Sequence, residues 1–298
     1  MAAIEIDGLT KRYGDLAAVS DLSLAIESGE VFGYLGPNGA GKTTTIRTLL
    51  GLQSPTAGTV SVLGRDMAVE SQRLDALERI GYLPSNPRFD EQATGREVLD
   101  LHKSVKGGER RAELLDLFTP PVEREIREYS TGNVQKLGLV QAFMHDPDVV
   151  VMDEPTSGLD PLLQERFNEF VRDERERGTT MLFSSHVLSE VRRVCDRVGV
   201  LRGGELVTVE DVRDLLDRSG KHVRVRVAGD PPEGAFDVAG VSDVSRWRDG
   251  DETAFSFTFA GDVNDLVDAF DAYDLRELDV EEAPLEDVFL AFYGDSDA

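Results

Sequence analysis

The sequence predicts an α/β chain in two parts: a parallel-sheet core carrying an antiparallel β section and a helical insertion, then a small α+β domain. Three observations predict it. A strand, a glycine-rich loop and a helix follow one another from Val31 to Leu52, and a strand, helix, strand order recurs from Asp148 to His186. The charge balance then shifts near residue 220. At 298 residues the chain can bury one large core and one smaller one.

Residues 2 to 35 alternate apolar and polar side chains in short runs broken by Gly and Asp, as in IEIDGLTKRYGD and LSLAIESGEVFGYLG. This predicts antiparallel strands feeding a buried one. The run Val31 to Leu35 stops at Gly36, and from Lys42 onward TTTIRTLLGL takes helical spacing. Residues 86 to 146 read as helices joined by polar breaks, with ATGREVLDLHKSV, RRAELLDLF and VQKLGLVQAFM each showing an apolar face. DVVVMDE and TTMLFSSH then flank the helical PLLQERFNEFVRDERERG, the order of a parallel sheet. VGVLRGGELV reads as a hairpin, and the pattern weakens through 210 to 220.

A boundary is expected between residues 218 and 219. Residues 221 to 298 hold 6 basic and 20 acidic side chains, a net of 6 − 20 = −14. Their strand-like VRVRV, TAFSFTF and LRELDV and the helix-like NDLVDAFDAY predict an accessory α+β domain. It would close on a helix, PLEDVFLAFYG, whose Leu285, Val288, Phe289 and Phe292 share one face. That face reads as core of the small domain, with a contact between copies as the alternative.

The whole chain carries 32 basic against 57 acidic residues, a formal charge of −25, and only six of the basic residues are lysine. Such a field repels nucleic-acid phosphates and keeps protein soluble in strong salt, so it predicts a halophile's protein with no nucleic-acid partner. The lone Cys195 excludes an internal disulfide and is read as a small buried apolar group without chemistry. No apolar run approaches bilayer length, and the start MAAIEIDGL lacks the pattern of a signal peptide. A membrane role would therefore run through a partner.

Gly36, Pro37, Asn38, Gly39, Ala40, Gly41, Lys42 and Thr43 spell G-x-x-x-x-G-K-T between strand and helix. The glycines let backbone N–H groups wrap phosphates at a helix N-terminus, where the aligned dipoles favour an anion. Lys42 would neutralise the β- and γ-phosphates of ATP, the Thr43 hydroxyl would ligate Mg²⁺, and Thr44 would add a phosphate contact. Asp153 and Glu154 follow the apolar run VVVM, at the end of a strand where open parallel sheets bind ligands. Adjacent strand residues point opposite ways, so a turn, expected at Pro155, is needed to free both carboxylates. Asp153 would hold Mg²⁺ through water and Glu154 would orient or deprotonate the attacking water.

With these residues in view, YSTGN at Tyr129 to Asn133, followed by VQKLGLVQAF, resembles the signature motif of the ABC ATPase family. Ser157 to Asp160 resemble its Ser-x-Leu-Asp loop, His186 its histidine after the next strand, and Tyr13 in KRYGD the ring that stacks on adenine. The resemblance covers about residues 3 to 215. It implies the phosphate-loop fold of an ABC ATPase domain over residues 1 to 218: a RecA-like parallel-sheet core, an antiparallel β subdomain and a helical subdomain. It also implies two ATPase copies facing head to tail, with Ser130 and Gly132 of one binding the γ-phosphate held by Lys42 of the other. His186 would bond the γ-phosphate, and Asp160 would couple the two sites. Where the family commonly has a metal-touching glutamine this chain has Ser85, too short to reach a metal without a bridging water. Tyr129, Thr131 and Asn133 replace the common Leu, Gly and Gln, which predicts altered affinity with function kept.

The implied function is the ATP-hydrolysing subunit of a transporter, most like exporter ATPases of the daunorubicin-resistance type. Its partners would be a separate transmembrane permease and a second ATPase copy, the same chain or a related one, on the cytoplasmic face of the plasma membrane. Two alternatives compete. A soluble ABC protein acting on DNA or ribosomes predicts basic surfaces, a coiled coil or tandem domains, none of which the sequence carries. A switch that binds ATP without hydrolysing it is opposed by Glu154 and His186.

Overall fold

The computed structural model describes residues 1–232, 234–236 and 238–282. Contacts divide the chain into two compact units, Met1–Glu210 and Asp211–Ala298. The dividing line falls eight residues before the composition boundary at 218, because a short charged helix that composition alone assigns to the first part clusters with the second.

The first unit runs β1 (Ala2–Tyr13), β2 (Leu16–Glu27), β3 (Val31–Leu35), α1 (Lys42–Leu49), β4 (Ala57–Val62), β5 (Arg65–Asp66), α2 (Glu70–Glu78) and β6 (Ile80–Leu83). It continues through α3 (Gly95–Lys106), α4 (Arg111–Phe118), α5 (Thr131–Phe143), β7 (Val149–Asp153), α6 (Pro161–Glu176), β8 (Thr180–Ser185), α7 (Leu188–Val194), β9 (Arg197–Arg202) and β10 (Glu205–Asp211). Two sheets result. The antiparallel one has the order β2-β1-β4-β5, with Ile4 opposite Ile26 and Ile6 opposite Leu24. The other, β10-β9-β3-β8-β7-β6, pairs β9, β3, β8, β7 and β6 in parallel.

Every residue of β3, β7 and β8 is buried, as expected of parallel strands covered on both faces. Helix α1 touches β2, β4 and β7, so it lies between the two sheets and shares one core with them. Its Ile46 and Leu49 are fully buried, each contributing about 2 kcal/mol of hydrophobic stabilisation. That packing fixes the helix whose first residue is Lys42. The helical insertion appears as α3 to α5, with Thr94 and Glu97 forming a reciprocal capping box at the start of α3. The strands and helix between residues 57 and 83 have weak sequence patterns because β4 is exposed along half its length and α2 buries only Ala76. Cys195 is buried, which raises its thiol pKa and suits an inert role.

The second unit contains α8 (Val212–Ser219), β11 (Lys221–Ala228), β12 (Val241–Asp249), β13 (Glu252–Phe259), α9 (Val263–Phe270) and β14 (Leu275–Glu282). Its antiparallel sheet has the order β12-β13-β11-β14. Val223, Val225 and Val227 alternate inward on β11 beside Phe255, Phe257 and Phe259 of β13, and Phe236, Leu266 and Phe270 cover them. Strand β12 has no buried residue and hence no alternation for the sequence to reveal. The expected closing helix around Leu285 to Phe292 lies outside the described residues.

Candidate nucleotide site

β7 and β8 pair side by side and β8 pairs with β3, so their carboxyl ends deliver Glu154, His186 and Gly36 to one edge of the parallel sheet. The loop after β3 needs glycine where it turns hardest. Gly41 has φ 106°, and a Cβ there would stand 2.6 Å from the Ala18 carbonyl oxygen. The ammonium of Lys42 is nearly enclosed, at 7% exposure, and donates to the Gly36 carbonyl at 2.5 Å.

A cavity of about 250 Å³ opens over this loop. Its wall comes from Pro37, Asn38, Gly39, Gly41, Lys42, Thr43 and Thr44, from Ser85, Asp153 and Glu154, and from Ala18 on β2. Gly36 and Ala40 are not part of that wall, and the Ala40 carbonyl accepts from the Gly204 N–H at 3.1 Å.

Asp153 is 3% exposed. Its Oδ2 accepts from the Thr43 hydroxyl at 3.2 Å and its Oδ1 from the Ser184 hydroxyl at 3.0 Å. Burial raises its pKa and the neighbouring Glu154 adds to that, while the two hydroxyls and Lys42 pull it down. The turn that frees both carboxylates comes at Glu154 itself, one residue before the expected Pro155. Glu154 has φ 52°, a left-handed backbone that costs a non-glycine residue about 1 kcal/mol. Its N–H donates to the Ser184 carbonyl at 2.9 Å, and its carboxylate lies between Lys42 Nζ at 3.7 Å and His186 Nδ1 at 2.8 Å.

Thr43 and Asp153 form a hydroxyl and carboxylate pair on the cavity wall, with Ser85 on the same wall. No cluster of three His, Cys, Asp or Glu capable of holding a metal occurs among the described residues. The donor set fits Mg²⁺, which keeps several waters and takes one or two carboxylates together with substrate phosphates.

The remaining expected residues lie off the cavity wall. Tyr13 is 49% exposed, and its hydroxyl donates to Gln53 Oε1 at 2.6 Å. Gln53 in turn donates to the Thr44 carbonyl at 2.8 Å, which ties the ring to the loop. Exposed Ser130 caps α5, accepting from the Asn133 N–H at 3.3 Å, and a Cβ on Gly132 would meet the Gly158 carbonyl at 2.7 Å. Exposed Asp160 caps α6, accepting from the Leu163 N–H at 3.0 Å. Sequence reading missed Ser184 and Gln53. Ser184 had a signal, the first of two hydroxyls that follow the apolar run MLF in TTMLFSSH, whereas Gln53 had none.

Backbone amides, an ammonium, a hydroxyl and paired carboxylates around one cavity suit a polyphosphate and a water to attack it. Residues 19–157 match the family model described as ABC transporter. The Nod factor export ATP-binding protein I of Rhizobium etli is 38% identical over 78% of this chain and 76% of its own length. This chain belongs to the ABC transporter ATP-binding proteins. The bacitracin transport ATP-binding protein BcrA of Bacillus licheniformis is 31% identical over 98% of this ABC protein and 97% of its own length. A solved structure of the ATP-binding subunit of an ABC transporter is 30% identical with a TM-score of 0.64, covering 72% of this chain and 92% of its own. This ABC protein is an ATPase, the ATP-binding subunit of a transporter. Among the described residues no helix is long and apolar enough to cross a membrane.

Proposed function

We propose that this ATPase powers export through a separate membrane permease, working as a pair of ATPase copies from the cytoplasmic face. The observation that carries the proposal is the meeting of Lys42, Glu154 and His186 beside the Thr43 and Asp153 pair. The names of the Nod factor export and bacitracin transport relatives support a transport subunit of the exporting kind. A C-terminal addition to the ATPase domain favours the daunorubicin-resistance type, and the lysine-poor acidic composition favours a halophile.

In this reading the loop amides and Lys42 bind the β- and γ-phosphates, and the adenine rests on the exposed Tyr13 ring. Mg²⁺, held by Thr43 and through water by Asp153, would supply charge neutralisation at the phosphates. Glu154 accepts the proton of the attacking water as its oxygen bonds to the γ-phosphorus and the bond to the β-phosphate oxygen breaks, leaving ADP and phosphate. His186, already bonded to Glu154, turns a ring N–H to the γ-phosphate and holds the water in line. Ser130 and Gly132 at the exposed start of α5 reach the γ-phosphate of the facing copy, a second copy of this chain, and Asp160 couples the two sites. Ser85, on the same wall, would reach Mg²⁺ only by way of a bridging water.

The test is Glu154→Gln in the full-length protein. Turnover should fall about 100-fold or more while ATP binding persists, and the variant with MgATP should run as a dimer by light scattering. Parental turnover, or a monomer at saturating ATP, would refute the reading.

A further inference from the structure

We infer that Glu190 is a positioning residue for hydrolysis, its carboxylate tying the turn that carries Glu154 to the turn that carries His186. The inference rests on the roles proposed for those two residues. Glu190 lies in the first turn of α7 and lines no part of the nucleotide cavity. Its Oε1 accepts from the Thr156 hydroxyl at 2.5 Å and its Oε2 from the Ser185 hydroxyl at 2.8 Å. Thr156 stands two residues after Glu154, and Ser185 immediately precedes His186. Both are buried, at 4% and 0% exposure, where a carboxylate bonded on both oxygens holds its partners firmly.

The position of this bridge gives it its effect. The ladder between β7 and β8 ends at Asp153 opposite Ser184, and one further bond joins the Glu154 N–H to the Ser184 carbonyl. Among the described residues no backbone hydrogen bond joins the two segments beyond that, and the Glu154 to His186 contact of 2.8 Å lies just past the end of the ladder. Glu190 restores a cross-link there.

Capping of α7 explains only half of the arrangement. Ser185 Oγ accepts from the Val187 N–H at 2.9 Å, which serves the helix start, and the Ser185 bond to Glu190 can be counted with it. The second carboxylate oxygen reaches Thr156, 34 positions away in the turn after another strand, where it does nothing for α7. What it does is fix how far the base stands from the histidine. Since a displacement of about 1 Å in a reacting group costs on the order of 100-fold in rate, this spacing matters for turnover and little for ATP affinity.

Steady-state hydrolysis of MgATP by full-length Glu190→Ala, Glu190→Gln and Thr156→Val tests the inference. Glu190→Ala should lower kcat about tenfold or more with KM and ATP affinity within about twofold of the parent. Glu190→Gln should recover most of the loss, because its amide oxygen accepts from one hydroxyl and its NH₂ donates to the other. Thr156→Val, which keeps the side-chain shape and breaks one arm, should lower kcat less, again at constant KM, and it carries the test if Glu190→Ala does not fold. Parental kcat in Glu190→Ala, or in Thr156→Val when that variant carries the test, overturns the inference. So does a parallel loss of kcat and ATP affinity that Glu190→Gln fails to mend. Glu154→Gln, assayed alongside, separates the two levels: if it retains turnover the underlying site reading has failed, and if it alone loses turnover only Glu190 has.

Discussion

Lys42 combines near-complete burial with a bond to a carbonyl and a carboxylate 3.7 Å away, so its charge is held over the loop and cannot drift into solvent. Lys42→Ala should therefore weaken ATP binding by about tenfold or more, the scale of one charge-assisted contact, and a fluorescent-nucleotide titration would measure it. An unchanged dissociation constant would contradict the assignment of the loop. The residues that meet at the cavity were legible as candidates because phosphate and metal chemistry restricts residue type and spacing, as with the loop from Gly36 to Thr43 and the pair Asp153 and Glu154. The supporting residues were not. Ser184 and Glu190 are common residue types whose partners lie 31 and 34 positions away, and only the neighbouring strand ends bring them together. The turn at Glu154 was misjudged by one residue because proline is the visible breaker, whereas a glutamate forced to positive φ gives no local sign.

Elements of the helical insertion are tied to the sheet by polar links as well as apolar contact. Arg110, just before α4, donates from both Nη atoms to Glu174 on α6, each at 2.7 Å, and both residues are buried. Arg110 also bonds Glu113 at 2.6 Å and keeps that partner, so Glu174→Ala, which removes two charge-assisted bonds from a buried guanidinium, should cost about 2 kcal/mol in urea unfolding. Because the pair lies outside the cavity wall, ATP affinity should not change. A second link is titratable. His145 Nε2 faces the Ile80 carbonyl at 3.3 Å, its Nδ1 lies 3.4 Å from His102 Nε2, and Lys106 Nζ donates to the same Ile80 carbonyl at 2.8 Å. Burial, reinforced by the Lys106 charge, pushes both imidazoles down to about 4, with Glu109 opposing the shift at His145. The unfolded chain, with histidines near 6.5, then binds protons first as pH falls. This contribution to stability is complete above about pH 6.5 and drains away as pH drops toward 4. Unfolding midpoints at about pH 7 and about pH 5 should accordingly differ more in the parent than in the His102→Gln, His145→Gln double variant. Helical periodicity revealed α3 and α5 plainly, but nothing in HKSVK or MHDP announced that their histidines would meet.

Across the whole molecule, charge is the property that sets behaviour in solution. A net of −25 with six lysines leaves long-range repulsion that added cations screen, the Debye length falling to about 3 Å in 1 M salt. The temperature of unfolding should rise in a KCl series toward molar concentration, and a flat response would remove the salt-adapted reading. The two-part organisation was visible because a buried sheet face writes alternation into β11 and β13, while the exposed β12 writes none. The left-handed backbone at Glu154 has a consequence for anyone breeding a hardier version of the protein. Glycine relaxes that conformation, so a library sorted on heat survival alone would admit Glu154→Gly wherever the relief outweighs the lost contacts to Lys42 and His186, and in the reading proposed above such a cassette would no longer burn its fuel. Any such sorting has to score work done alongside endurance.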